Sequence, residues 1–131
     1  MTIAEPKGVQ YHNQIITVLF LCMGGIFVKI SAQNLQKTYK QGSIEVEALK
    51  PCNFEINSNE QVAIIGASGS RKSTLLHLLG GLEQATDGSI KYDETDLSDM
   101  TQNQCDDFRL ENIGIVFQSF YLLPELTTYE N

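Results

Sequence analysis

The feature that most constrains this chain is the four-residue apolar run Val62-Ala63-Ile64-Ile65, which enters the glycine-bearing loop Gly66-Ala67-Ser68-Gly69-Ser70-Arg71-Lys72 and leaves it through Ser73-Thr74-Leu75-Leu76-His77-Leu78-Leu79. A continuously apolar run suits a strand buried on both faces, and the segment after the loop has helical composition, closed by Gly80-Gly81. Buried strand, glycine-rich loop and helix together make a phosphate cradle. Loop N–H groups turn inward, and the helix N-terminus adds the positive end of its dipole. The usual spacing is G-x-x-x-x-G-K-S/T, with the lysine on the β- and γ-phosphates and the hydroxyl on Mg²⁺. Gly66, Lys72 and Ser73 stand at those offsets, but the glycine expected before the lysine is Arg71. Glycine adopts backbone angles that cost other residues about 1 kcal/mol or more. An arginine there must swing clear of the phosphates or occupy their space, although a guanidinium also pairs well with phosphate oxygens. Weakened, lost and near-normal binding all remain open on the sequence. Taken alone, the loop also fits a plain glycine-bearing turn; the strand before it and the helix after it favour the cradle.

Around this centre the chain is unevenly patterned. Met1 to Gln14 is polar and patternless, and an apolar run from Ile15 to Val28 follows, short of the roughly 20 residues that span a bilayer. Residues 1–26 read as a leader of uncertain status outside the domain, with Met23 as the natural start. A strand of the fold and a membrane or interfacial anchor are the other readings. From Phe27 the pattern is regular. Phe27–Ser31, Ile44–Leu49 and Cys52–Ile56 alternate with period two, so three short strands of a small antiparallel sheet with one wet face are expected. Turn signals lie at Lys40–Ser43 and Asn57–Glu60. After the helix, Thr86-Asp87-Gly88 reads as a turn, Ser89–Tyr92 as a strand and Gln102–Leu110 as a helix. Ile113–Phe117 reads as a second apolar strand, and Thr127–Asn131 as the start of a helix.

Composition excludes two function classes. The net charge of −7 provides no basic stripe for gripping nucleic acid, while a nucleotide can still be held locally by amides and one lysine. Cys22, Cys52 and Cys105 form no CxxC pair, and His12 and His77 are isolated, which argues against a zinc site or disulfide framework and suits a reducing compartment. His77 and Arg109 read as ordinary helix residues. Apolar residues at 42% and charged residues at 19% suit a globular core.

From Ile30 to Asn131, about three-quarters of its length, the chain resembles the N-terminal half of ABC-transporter nucleotide-binding domains. Thr38-Tyr39 resembles the upstream aromatic on which adenine stacks. Gly66 to Thr74 resembles the family's G-x-S-G-S-G-K-S-T loop. Gly81 to Ile90 resembles G-L-D/E-x-P-T-x-G-x-I, with Ala85 where proline is usual. Ile113 to Gln118 resembles the strand ending in the Q-loop glutamine, and Leu122 to Asn131 resembles L-L-P-x-L-T-x-x-E-N at the entry to the helical subdomain. The Gln41–Glu47 hairpin, His77–Leu82 and the Leu-Leu-Pro segment look most like the lipoprotein-releasing and macrolide-exporter branch.

The resemblance implies an α/β, P-loop NTPase-type fold, a partial ABC ATPase core with a small antiparallel β subdomain, over residues 27–131. It implies ATP and Mg²⁺ as ligands. Tyr39 would stack on adenine, the amides of Ser68, Gly69 and Ser70 would join Gly66 in the cradle beside Arg71, and Lys72 would hold the β- and γ-phosphates. Thr74 would take the α-phosphate, Ser73 and Gln118 the metal. Plainer readings stand beside two of these: Tyr39 as a surface strand aromatic and Gln118 as a polar loop residue. Implied partners are a membrane permease subunit and a second nucleotide-binding domain, with no nucleic acid, at the cytoplasmic face of the cell membrane. The family's L-S-G-G-Q signature, Walker-B aspartate and catalytic glutamate are not found in these residues, so a truncated copy without turnover of its own is expected. A non-hydrolytic nucleotide- or permease-binding module, a degenerate remnant, a small membrane-anchored protein and a P-loop kinase are the alternatives.

Overall fold

The alternating segments of the first half build one long hairpin, not a set of short strands. In the computed structural model, which describes residues 28–115 and 123–130 together with the backbone of 2–4 and 17–18, strand β3 (Ile30–Gln41) runs antiparallel to β4 (Ile44–Ile56). They are numbered after β1 (Thr2–Ala4) and β2 (Thr17–Val18). Gly42 and Ser43 connect them, and Gly42 takes φ +63°, the angle a tight two-residue hairpin asks of its first central residue.

The expected break between Ile44–Leu49 and Cys52–Ile56 does not occur. Pro51 lies inside β4 and is exposed. In this sheet only β3 pairs with β4, so β4 is an edge strand, where a proline's missing N–H costs no ladder bond on the open side. At the other end, Val28 and Lys29 precede the strand and Phe27 lies outside the described residues.

β6 (Asp87–Tyr92) pairs antiparallel with the far side of β3, and β7 (Thr95–Asp96) with β6. Register then lines up the apolar positions. Ile30 lies between Ile56 and Tyr92, and Ala32 between Phe54 and Ile90. Between Gln33 and Gln36 both ladders slip, and the bulge turns Leu35 fully into the core. Asn34 takes φ +47° in this bulge, and its amide donates to Asn53 Oδ1 at 2.7 Å. Gly88 lies against it so closely that a Cβ would stand 2.3 Å from the Asn34 carbonyl oxygen.

The apolar run after the hairpin gives β5 (Ala63–Ile65), with Ala63 and Ile64 buried as expected. Its backbone pairs antiparallel on one side with β1 and on the other with β2. The chain then forms α1 (Lys72–Leu79), whose Leu75, Leu76, Leu78 and Leu79 pack with Ile30, Leu35, Ile64, Ile90 and Tyr92 in one core. Burying each leucine contributes on the order of 2 kcal/mol. Two hydrogen bonds close the helix: Leu82 N–H donates to the His77 carbonyl at 2.9 Å and Gly81 N–H to that of Leu78 at 3.1 Å, satisfying carbonyls that helix ends otherwise leave free. Tyr92 donates its hydroxyl to the Leu79 carbonyl at 2.6 Å, and burial pushes that phenol far above its ordinary pKa.

A short 3₁₀ turn at Leu97–Asp99 leads to α2 (Gln102–Asn112), opened by a capping box in which Thr101 and Gln104 bond each other's backbone N–H. The strand expected at Ile113–Phe117 is not present in its described part. Ile113 is extended (φ −128°, ψ 122°), but Ile113 to Ile115 have no ladder partner among the described residues, and a strand needs one; Val116 and Phe117 lie outside them. The helix start expected from Thr127 is a single turn, with Glu130 Oε2 accepting from the Thr127 amide at 2.9 Å and its hydroxyl at 2.7 Å.

Candidate functional site

The loop between β5 and α1, with the first turn of α1, gathers every sequence-marked cradle residue from Gly66 to Thr74. Ser70 N–H bonds the Ala67 carbonyl at 3.1 Å, and Gly69 takes φ +78°, so the chain turns sharply above the helix start. Arg71 follows at φ 64°, ψ 26°, the left-handed region, as the residue preceding α1. This is the conformation that a glycine adopts freely and that costs an arginine about 1–2 kcal/mol. The sequence departure at Arg71 therefore coincides with a backbone angle that favours glycine. Its side chain is exposed and makes no cap hydrogen bond.

Lys72 is buried, with 6% of its surface exposed, at the first helical position. Its Nζ donates to the Gly66 carbonyl at 2.9 Å, the Ala67 carbonyl at 2.8 Å and Ser70 Oγ at 3.3 Å. All three acceptors are neutral. They satisfy the ammonium's donors without cancelling its charge, and the first turn of α1 contains no acidic residue. The N–H groups of that turn lack helical acceptors, as at any helix start. The result is a concentrated positive potential wrapped by loop backbone, suited to an anion. Ser73 is exposed at the same turn, and Thr74 is buried beside it.

Tyr39 reaches this neighbourhood from β3. Its hydroxyl donates to Glu83 Oε2 at 2.5 Å, and Lys37 Nζ lies over its ring, 5.1 Å from the centroid. Burial, then the hydrogen bond to the Glu83 carboxylate, pushes the phenol's pKa up, against smaller opposing influences from Thr74 and Arg71 of the cradle. Glu83 also accepts from His77 Nδ1 at 3.0 Å and lies 3.5 Å from Lys37 Nζ. Its largest influence, burial, works to raise its pKa. The Tyr39 and His77 hydrogen bonds and the Lys37 charge outweigh it and hold the carboxyl below its ordinary value.

Among the described residues, then, Tyr39 and the Gly66–Thr74 loop are brought together, while Gln118 lies outside them. Sequence reasoning gave Lys37 and Glu83 no role. Glu83 stood within the Gly81–Ile90 landmark, which was the available signal, while Lys37 falls beside Tyr39 only because β3 extends to Gln41. Arg109 donates to the Gly81 carbonyl at 3.1 Å and pairs with Asp106 at 3.0 Å, bracing the chain reversal after α1. No group of three or more His, Cys, Asp or Glu side chains that could hold a metal ion is present among the described residues.

Residues 49–131 match the family model described as ABC transporter. Over 102 residues the chain is 41% identical to the lipoprotein-releasing system ATP-binding protein LolD of Syntrophotalea carbinolica, an alignment covering 78% of this chain and 45% of that protein. It is 43% identical over 102 residues to the macrolide export ATP-binding/permease protein MacB of Pasteurella multocida, covering 78% and 16%. The chain spans less than half the length of these curated relatives. Among solved structures it is similar to a bacterial ABC transporter cassette in dimeric form, with TM-score 0.63 and 34% identity over 77% of this chain and 44% of that one. It is also similar to a dimeric, post-hydrolysis ATP-binding cassette bound to ADP and Pi, with TM-score 0.62 and 33% identity over 75% and 42%.

Proposed function

This chain belongs to the ABC transporter family, and from that premise we propose that it is the ATP-binding portion of an export ATPase subunit. The observation that carries this reading is the buried Lys72 ammonium, held by neutral oxygens of its own loop at the start of α1. A triphosphate supplies the negative charge such a site lacks. The residues fit it with one reservation of geometry: Arg71 occupies the left-handed position where a glycine would leave most room.

In this reading Lys72 exchanges its loop carbonyls for β- and γ-phosphate oxygens. Gly66 and the amides of Ser68, Gly69 and Ser70 line the cradle, and Thr74 takes the α-phosphate. Ser73, exposed at the helix start, and Gln118 would hold Mg²⁺, which would supply neutralisation of phosphate charge. Tyr39 offers its ring to adenine. Residues 27–131 form the nucleotide-binding portion, and of the segment 1–26 that precedes it Thr2–Ala4 and Thr17–Val18 pair with its strand β5. The partners are a membrane permease and a second nucleotide-binding domain, met at the cytoplasmic face of the membrane; among the described residues no helix is long and apolar enough to cross it.

The activity assigned to these residues is binding, without turnover by this chain alone, because none of them supplies the carboxylates that orient the attacking water and hold the metal in phosphoryl transfer. Equilibrium dialysis of radiolabelled ATP with Mg²⁺, beside phosphate-release measurements, tests both halves. Saturable binding lost in Lys72→Met, with no phosphate released, is the expected result. Binding that survives Lys72→Met refutes the site, and lysine-dependent release refutes the absence of turnover.

A further inference from the structure

The carboxylate of Glu83 is where three side chains from two elements converge. Tyr39 and Lys37 arrive from β3, with Oε2 2.5 Å from the phenol and 3.5 Å from Lys37 Nζ. His77 arrives from α1, its Nδ1 3.0 Å from Oε1. Lys37 is further tied to the Gln84 carbonyl at 2.7 Å. Its ammonium therefore rests over one face of the Tyr39 ring from a fixed point. A phenol on a strand can turn about its side-chain torsions, and a stacked base needs the ring held still before it arrives.

We propose that Glu83 is a positioning residue for the nucleobase, fixing the Tyr39 ring through its hydroxyl, with Lys37 covering one ring face and the opposite face left for a purine. This rests on the reading of Tyr39 as the stacking aromatic and adds the group that orients it. The preorganised ring acts on affinity for the base and not on the phosphates, which the proposed reading assigns to Lys72.

The test has two parts. In the nucleotide-free chain, ¹³C NMR of labelled tyrosine follows the Tyr39 ring carbons, assigned with Tyr39→Phe. Glu83→Ala is expected to shift and broaden them, and Glu83→Gln, which keeps an acceptor oxygen, to restore them. Titrations then compare ATP with inorganic tripolyphosphate. Glu83→Ala should weaken ATP binding by about tenfold, a loss at the lower end of one base's stacking energy, and leave tripolyphosphate unchanged. Glu83→Gln should remain within about twofold of the parent for both. A general structural role would weaken both ligands together and lower the melting temperature in step. Unmoved Tyr39 resonances in Glu83→Ala, or unchanged ATP affinity while Tyr39→Ala weakens it, would overturn the positioning role and leave the stacking role standing. If Tyr39→Ala itself left ATP binding unchanged, the stacking role would fall, and this proposal with it.

Discussion

Lys72 Nζ lies 2.9 Å from the carbonyl oxygen of Gly66, so the lysine folds back across the loop that leads to it. Two further neutral acceptors complete the grip, and the side chain is almost entirely removed from solvent. A buried ammonium normally carries a desolvation penalty of several kcal/mol unless its surroundings repay it. Here neutral loop oxygens take up its donors without supplying a counter-charge, which leaves a site suited to an anion.

That balance sets the first prediction. Lys72→Met keeps the stem's volume and removes the charge, so the folded chain should lose little or no stability, within about 1 kcal/mol, in urea denaturation. The variant should nevertheless bind no ATP. A large loss of stability would mean that the lysine's loop contacts hold the fold together.

Arg71 bears on stability independently of any ligand. It is held at φ 64°, so Arg71→Gly should raise the unfolding free energy by about 1 kcal/mol, the left-handed penalty less glycine's extra chain entropy. Arg71→Ala keeps that penalty and should leave stability close to the parent. Equal effects of the two variants in denaturant titration would show that the angle is not strained.

Gly88 makes the opposite case. Its φ is +80°, and a Cβ there would approach the Asn34 carbonyl oxygen to 2.3 Å, a backbone atom in the β3 bulge that cannot easily retreat. Gly88→Ala should cost more than about 2 kcal/mol in thermal or urea unfolding. A mild effect would require the bulge to be soft.

Glu83 predicts a pH dependence. Its folded pKa lies below the ordinary value, so the stability it contributes is present above the unfolded value of about 4.3 and is lost as pH falls through the folded value. Between about pH 5 and pH 3 the parent's denaturation midpoint should fall more steeply than that of Glu83→Gln. Parallel curves would remove Glu83 from the account.

The sequence made the loop legible because its signal is local: an apolar run, glycines and a leucine-rich helix lie within 20 consecutive positions, and β5 and α1 follow directly. It was less informative wherever pairing is distant. Lys50-Pro51 reads as a strand break, yet β4 runs through it because it is an edge strand, a fact of topology that no local pattern carries. Ile113 to Ile115 have strand composition but no ladder partner among the described residues. Thr2–Ala4 shows no alternation, and still pairs with β5. The Tyr39–Glu83 bond joins positions 44 residues apart, and each alone looks like a half-buried surface residue. The positive φ at Arg71 was foreshadowed, because the motif's glycine is a statement about that angle.

The central claim is that this loop is an anion cradle in which Arg71 stands at a glycine's position. Isothermal titration of Mg²⁺-ATP into the parent chain and into Arg71→Gly tests it most directly. The account predicts saturable binding that is tighter in the glycine variant, with Lys72→Met silent. Two folded proteins that both give no binding heat, and no nucleotide-dependent rise in melting temperature, would contradict it.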